Sequence, residues 1–167
     1  MKIVCDASTL ILLAKIELLR ELTDEFKLVI PERVKKECLA KEGTDAKLIE
    51  TLIKEKKIEV RVSGNQELVR KIQRDFRIEA GEAEALCLAR TLNCVIAVDD
   101  GPTIKACRVL GQKFATAIHF LLNMASRNKL DVHVAEVKLE QLARFGRYSK
   151  RILEDASERL KGGKKWA

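Results

Sequence analysis

At 167 residues the chain is long enough for one domain with a proper core and short for two. With 47% hydrophobic and 34% charged residues it has an ordinary globular balance, which excludes wholesale disorder, and no apolar run approaches the roughly 20 residues that span a bilayer. The net charge of +7 suits a polyanionic partner, while 4% aromatic content is too little for base stacking to be the main grip on one.

The opening Met-Lys-Ile-Val-Cys-Asp places a carboxylate before any signal-peptide core can form, so a cytoplasmic protein with no membrane attachment is expected. Residues 2–5 read as a first strand and 10–16 as an apolar helix. Residues 26–30 read as a second strand, after which Pro31 sits where a helix favours its first residue, with 32–41 continuing that helix and Gly43 stopping it. Residues 45–56 carry Leu48, Ile49, Leu52 and Ile53 on one side, as an amphipathic helix does. Alternation over 58–62 predicts a half-exposed or edge strand. A short charged helix is expected over 67–74, a strong one over 80–91, and a buried central strand over 94–98. The remainder reads as a helix over 102–110 ending at Gly111, a brief strand over 113–115, and helices over 118–126, 134–145 and 149–160. Strands alternating with helices, without repeats or linkers, predict an α/β protein: a three-layer α/β/α sandwich with a central, mainly parallel sheet.

The five cysteines form no Cys-x-x-Cys pair and lie far from most histidines, which argues against zinc; each falls in an apolar stretch and reads as a buried free thiol. A Cys87–Cys94 disulfide is the alternative that the Lys/Glu-rich composition leaves open. From Arg144 onward eight basic residues face three acids, so this tail supplies +5 of the net charge. Arg144, Arg147, Lys150 and Arg151 are its candidate RNA contacts, and a solvated surface is the rival reading.

Ligands of parallel sheets bind beyond the carboxyl ends of the strands. Asp6 follows the first strand, and Asp99 and Asp100 follow the strand over 94–98; either site taken singly is as readily a helix cap. Glu82 shares a helical stripe with Ala85, Leu86 and Ala89, and Glu37 shares a face with Val34 and Cys38. A carboxylate on an inner stripe must be paired, protonated or bound to a cation. Glu79 and Glu84, off that stripe, are expected to reach into water. Together Asp6, Glu37, Glu82 and Asp99 or Asp100 could form one acidic pocket, and an oxygen-only donor set favours Mg²⁺ or Mn²⁺. Such a metal promotes phosphodiester hydrolysis, which matches the basic tail.

These residues fall into an ordered set of motifs: Val4-Cys5-Asp6-Ala7-Ser8-Thr9-Leu10, Glu37 in Val-Lys-Lys-Glu-Cys, Gly81-Glu82-Ala83-Glu84-Ala85-Leu86 with Ala89, and Val98-Asp99-Asp100. The set resembles the PIN-domain family, the nuclease fold of VapC-type toxins and several RNA-processing enzymes, and within it a prokaryotic, largely archaeal, subgroup. Two departures stand out: Glu82 where many PIN domains have Asp, and Val98-Asp99-Asp100 where Thr-x-Asp is commoner. The resemblance implies a nuclease domain over residues 1–130, with a helical extension over 131–167 packed on it. It implies catalytic roles for Asp6, Glu37, Glu82 and Asp99, metal ligation by Asp6, Glu82, Asp99 and Asp100, and support from the Ser8 hydroxyl. Asp100 is either a second ligand or a helix cap.

The implied function is a Mg²⁺- or Mn²⁺-dependent endoribonuclease, as a toxin held by a small antitoxin or as an RNA-processing enzyme. The alternative is a non-catalytic RNA-binding or scaffold protein with this fold. A haloacid dehalogenase-like phosphatase is discounted, because it expects a second Asp where this chain has Ser8. A homodimer is also expected, and Leu139, Leu142, Ile152 and Leu160 are the apolar residues the terminal helices could offer it.

Overall fold

The continuous apolar runs become the middle of a parallel sheet, because strands covered by helices on both faces need apolar residues on both. The computed structural model describes residues 1–162 and divides into two compact units, Met1–Ala115 and the segment from Thr116 onward. Lys164 and Lys165 of the basic tail lie outside the described residues. All five cysteines are free, so the disulfide alternative falls; four are buried, and Cys94 is only partly covered.

The first unit holds five parallel strands: β1 (Lys2–Cys5), β2 (Lys27–Pro31), β3 (Ile58–Arg61), β4 (Val95–Ala97) and β5 (Phe114–Ala115), in the order β3-β2-β1-β4-β5. Val4 pairs with Val29 on one side and Ile96 on the other, and Cys5 lies opposite Ala97. Ile3, Val4, Cys5, Ile96 and Ala97 are at most 1% exposed, which makes β1 and β4 the buried centre. β3 is at the edge, as its alternation predicts, with only Ile58 buried.

Seven helices cover this sheet: α1 (Ala7–Lys15), α2 (Leu19–Glu25), α3 (Glu32–Leu39), α4 (Thr44–Lys54), α5 (Gln66–Phe76), α6 (Ala80–Thr91) and α7 (Gly101–Leu110). Right-handed crossovers place α1–α4 on one face and α5–α7 on the other, completing the three-layer α/β/α sandwich. In agreement, α1 packs with α3 and α4, and α5 with α6 and α7. The chain runs outward from β1 to β2 and β3, then returns to β4 beside β1. The strand order therefore reverses between β1 and β4, where the loops diverge and leave a crevice.

The helix over 19–25 has no counterpart in the sequence reading. Glu17, at φ 55, ends α1 in the left-handed region without the glycine or proline that would have flagged a break. Pro31 also differs. It closes β2 and is the N-cap of α3 (φ −65, ψ 156) rather than its first residue. Its fixed φ serves both positions, and in a strand it lacks only a donor.

The second unit consists of α8 (Ala117–Ser126), α9 (Val132–Phe145) and α10 (Lys150–Leu160), packed on one another. Leu139, Leu142 and Leu160 are buried, so of the four apolar residues expected to form a surface only Ile152 is exposed. The exposed apolar residues of α9 are Val132, Val134, Val137 and Phe145. Among the described residues no helix is long and apolar enough to cross a membrane.

Candidate active site at the strand switch point

Asp6 leaves β1 in extended conformation and caps α1: its Oδ1 accepts from the Thr9 amide at 2.8 Å and its Oδ2 from the Ser8 hydroxyl at 3.0 Å. Its own amide donates to the Ala97 carbonyl at the end of β4, tying the two strand ends together. Capping and candidate function are thus not rivals here, since the cap is what aims the carboxylate. Asp6 has no exposed surface. Burial pushes its carboxyl up to about 7, with the Asp99 charge adding to the rise and the donors at Thr9 and Ser8 opposing it.

Asp99 leaves β4 opposite Asp6, and the buried Thr9 links them. The Thr9 amide serves Asp6 while its hydroxyl donates to Asp99 Oδ2 at 2.6 Å. Asp100 is the N-cap of α7, with Oδ2 accepting from the amide and hydroxyl of Thr103 at 3.0 and 2.9 Å. Thr103, also fully buried, gives both of its donors to Asp100. Burial raises the Glu82 carboxyl; the Glu79 amide, donating to Glu82 Oε2 at 2.9 Å, opposes this, and the Asp100 charge reinforces it. Thr9 therefore bridges Asp6 and Asp99, whereas Thr103 serves Asp100, and Glu82 feels the Asp100 charge.

Neither threonine was singled out from sequence, yet both carry one signal. Asp6-Ala7-Ser8-Thr9 and Asp100-Gly101-Pro102-Thr103 share an Asp-x-x-Thr spacing, with the Asp at the N-cap and the Thr at the third helical position. There the backbone amide answers the cap; the Thr9 hydroxyl goes on to Asp99, while that of Thr103 returns to Asp100.

Two glutamates depart from expectation. Glu37 is exposed as a residue rather than seated on an inner stripe. Only its carboxylate is enclosed, because Gly81 at the start of α6 has no side chain; a Cβ there would stand 2.6 Å from Glu37 Oε2. This partial burial raises the Glu37 carboxyl first, with the Glu79 charge adding to it and Arg33 opposing. Glu84 does not reach into water. It is buried and pairs with Arg33 Nε at 3.1 Å, because α6 is covered by α3, α5, α7 and the sheet and has no free outer face. Glu79, by contrast, is exposed as expected.

Among the described residues no three His, Cys, Asp or Glu side chains converge as a ready-made cation cage. The Asp6–Asp99 pair nevertheless suits Mg²⁺ or Mn²⁺, since Mg²⁺ is commonly held through one or two carboxylates and keeps several waters. A soft metal does not fit. Burial pushes the Cys38 thiol up to about 12, that of Cys107 to about 11 and that of Cys5 higher still, so none offers a thiolate near neutral pH.

The buried Asp6 has a stability consequence. Its folded pKa lies above the ordinary aspartate value of 3.8, so the folded state holds this proton longer than the unfolded chain. Its contribution is full below about pH 4 and is lost as pH rises through about 7. Metal-free protein is therefore expected to lose a few kcal/mol over that window, at about 1.4 kcal/mol per pKa unit. Asp6→Asn should flatten the loss, as thermal melts across a pH series in chelator will show. An equally steep loss in Asp6→Asn would assign the titration elsewhere.

No curated protein matches the chain. A family model described as PIN domain matches residues 2–161, running past residue 130 and through α8–α10. The five-stranded parallel sheet, the acids at its switch point and this match over nearly the whole chain agree: the protein belongs to the PIN-domain family, a superfamily of nucleases.

Proposed function

We propose that the chain is a metal-dependent endoribonuclease. The observation that carries this reading is the bridge Asp6–Thr9–Asp99, two carboxylates from neighbouring strand ends held together although their charges oppose it. In this reading Asp6 and Asp99 hold Mg²⁺ or Mn²⁺, with Glu82 and Asp100 flanking and Ser8 fixing the outer oxygen of Asp6. When bound, such a cation acidifies an attacking water and neutralises charge on the phosphoryl oxygens. Glu37, whose carboxylate lies against Gly81 with its pKa raised, would take a proton from the incoming water. Asp6 keeps the pair oriented from the floor, where bulk water does not reach.

Arg144, Arg147, Lys150 and Arg151, all exposed, form an outer RNA contact in this account. A toxin role with a small antitoxin, and a homodimer, are the finer proposals; the exposed Val134, Val137 and Phe145 of α9 supply apolar area for either partner. The second reading, a non-catalytic RNA-binding or scaffold protein, is favoured by one observation, that no three acids already converge as a cage.

A cleavage assay on single-stranded RNA with Mg²⁺ or Mn²⁺ separates the two. Asp6→Asn and Asp99→Asn are each expected to abolish cleavage while the metal-free melting temperature holds or rises, because one repulsive charge is gone. Wild-type activity in either variant would remove that residue from the mechanism.

The glutamates of α6 should divide by role. Glu82→Gln is expected to weaken Mn²⁺ binding about tenfold or more. Glu84→Gln should leave it unchanged and cost roughly 1–2 kcal/mol of stability through the weakened Arg33 pair. Metal titration and melting of both variants check this, and the opposite ranking would exchange their assignments.

Gly81→Ala tests Glu37 indirectly. Alanine suits a helix by roughly 0.5–1 kcal/mol, so the fold should hold while the new methyl pushes the Glu37 carboxylate aside. Cleavage is expected to fall on the order of 100-fold, as for other displaced catalytic groups. Full activity would exclude Glu37 from proton transfer.

A further inference from the structure

Beyond its acids, the first unit carries a row of cations that neither the sequence reading nor the proposed mechanism uses. Helix α5 buries Val69 and Ile72 and exposes Arg70 and Arg74, and Arg77 follows as its exposed C-cap. At 3.6 residues per turn Arg70 and Arg74 lie about 40° apart, and Arg77 follows at the helix end, so the three backbone positions span about 10 Å. They form a row along the exposed side.

The stripe has a direction. Arg77 takes the left-handed conformation (φ 53) that ends α5, and two residues later Glu79 caps α6, whose next turn carries Glu82. The row of guanidiniums thus runs towards the acidic end of α6.

Some cations of the same unit are answered by carboxylates, as in Arg20–Glu55, Lys27–Glu59, Lys57–Asp24 and, on α5 itself, Lys71–Asp75. None of Arg70, Arg74 and Arg77 forms an ion pair among the described residues. Like charges one turn apart destabilise a helix by a few tenths of a kcal/mol, which a polyanion would relieve. In the tail Lys150 and Arg159 are each paired one turn along α10, with Glu154 and Asp155, while Arg144, Arg147 and Arg151 form no ion pair among the described residues.

We propose that Arg70, Arg74 and Arg77 bind the phosphates of a single RNA strand and lead it towards the acids at the start of α6. A row about 10 Å long is within reach of a short run of phosphates on one strand, and guanidinium suits phosphate because its donors bond bidentately. RNA as the ligand rests on the nuclease reading, whereas the stripe itself does not.

The experiment is a salt series of binding isotherms for a fluorescein-labelled oligouridine, which stacks weakly, in chelator so that nothing is cut. Wild type is compared with the triple variant Arg70→Gln, Arg74→Gln, Arg77→Gln, and with neutralisation of Arg144, Arg147, Lys150 and Arg151. Each lost phosphate contact flattens the plot of log affinity against log salt by about 0.7, so the α5 variant should be shallower by about 2. Its melting temperature and Mn²⁺ affinity should match wild type; were the triple variant to misfold, single Arg70→Gln and Arg74→Gln, each expected to flatten the plot by about 0.7, carry the test. An unchanged slope in the folded α5 variants overturns the proposal, as does a slope that responds only to the tail variant, or wild type that binds no oligouridine. Cleavage by wild type with Mn²⁺ is scored separately: a flattened slope with no cleavage upholds the stripe and rejects the nuclease reading.

Discussion

Everything at this site depends on one uncomfortable arrangement, a carboxylate with no exposed surface standing beside a second carboxylate. Asp6 is fully buried, Asp99 faces it from the next strand, and Thr9 is the go-between that makes the pair tolerable by donating its amide to one and its hydroxyl to the other. The sheet topology is what brings them together. Because β4 returns beside β1, two loops that are ninety residues apart in sequence open on the same crevice. Isolated buried charge is costly, so a fold that retains this pair retains it against its own stability.

The neighbouring features serve the same end. Gly81 lets the Glu37 carboxylate lie against the first turn of α6, and any larger residue there would displace it. Thr103 fixes Asp100 with both its amide and its hydroxyl, beside Glu82. Arg33 holds Glu84 on the buried side of α6, so this acid is answered by a cation within the protein. The contrast between Glu84, paired with a cation, and Asp6, paired with another acid, separates a structural carboxylate from one suited to a bound cation. Glu82 belongs partly to both groups, since one of its oxygens already serves the Glu79 amide.

Much of this was legible in the sequence where a local rule sufficed. The apolar runs over 2–5 and 94–98 read as strands, the second a buried central one, and the alternation over 58–62 read as a half-exposed or edge strand; β1 and β4 are the buried centre and β3 lies at the edge. Asp6, Asp99 and Asp100 declared themselves by following strands. What escaped was tertiary. Glu84 lies off the apolar stripe of α6 and reads as a surface residue, because periodicity assumes a helix with one wet face and α6 has none. Glu37 erred in the opposite direction: its stripe neighbours Val34 and Cys38 are buried while its own stem is exposed. The leucines of α9 and α10 were assigned to a partner and are consumed inside. Thr9 was quoted only as part of a motif, since a threonine beside a cap is ordinary until the far carboxylate it bridges is known.

The central claim is that Asp6 and Asp99 together hold a divalent cation. Diffraction from crystals soaked in Mn²⁺, collected to record the anomalous signal of manganese, tests it most directly. The account predicts one anomalous peak in contact with carboxylate oxygens of both Asp6 and Asp99, absent from Asp6→Asn crystals treated in the same way. A peak at the Asp100–Glu82 pair instead, or an empty site in a protein that still cleaves RNA in Mn²⁺, would contradict it.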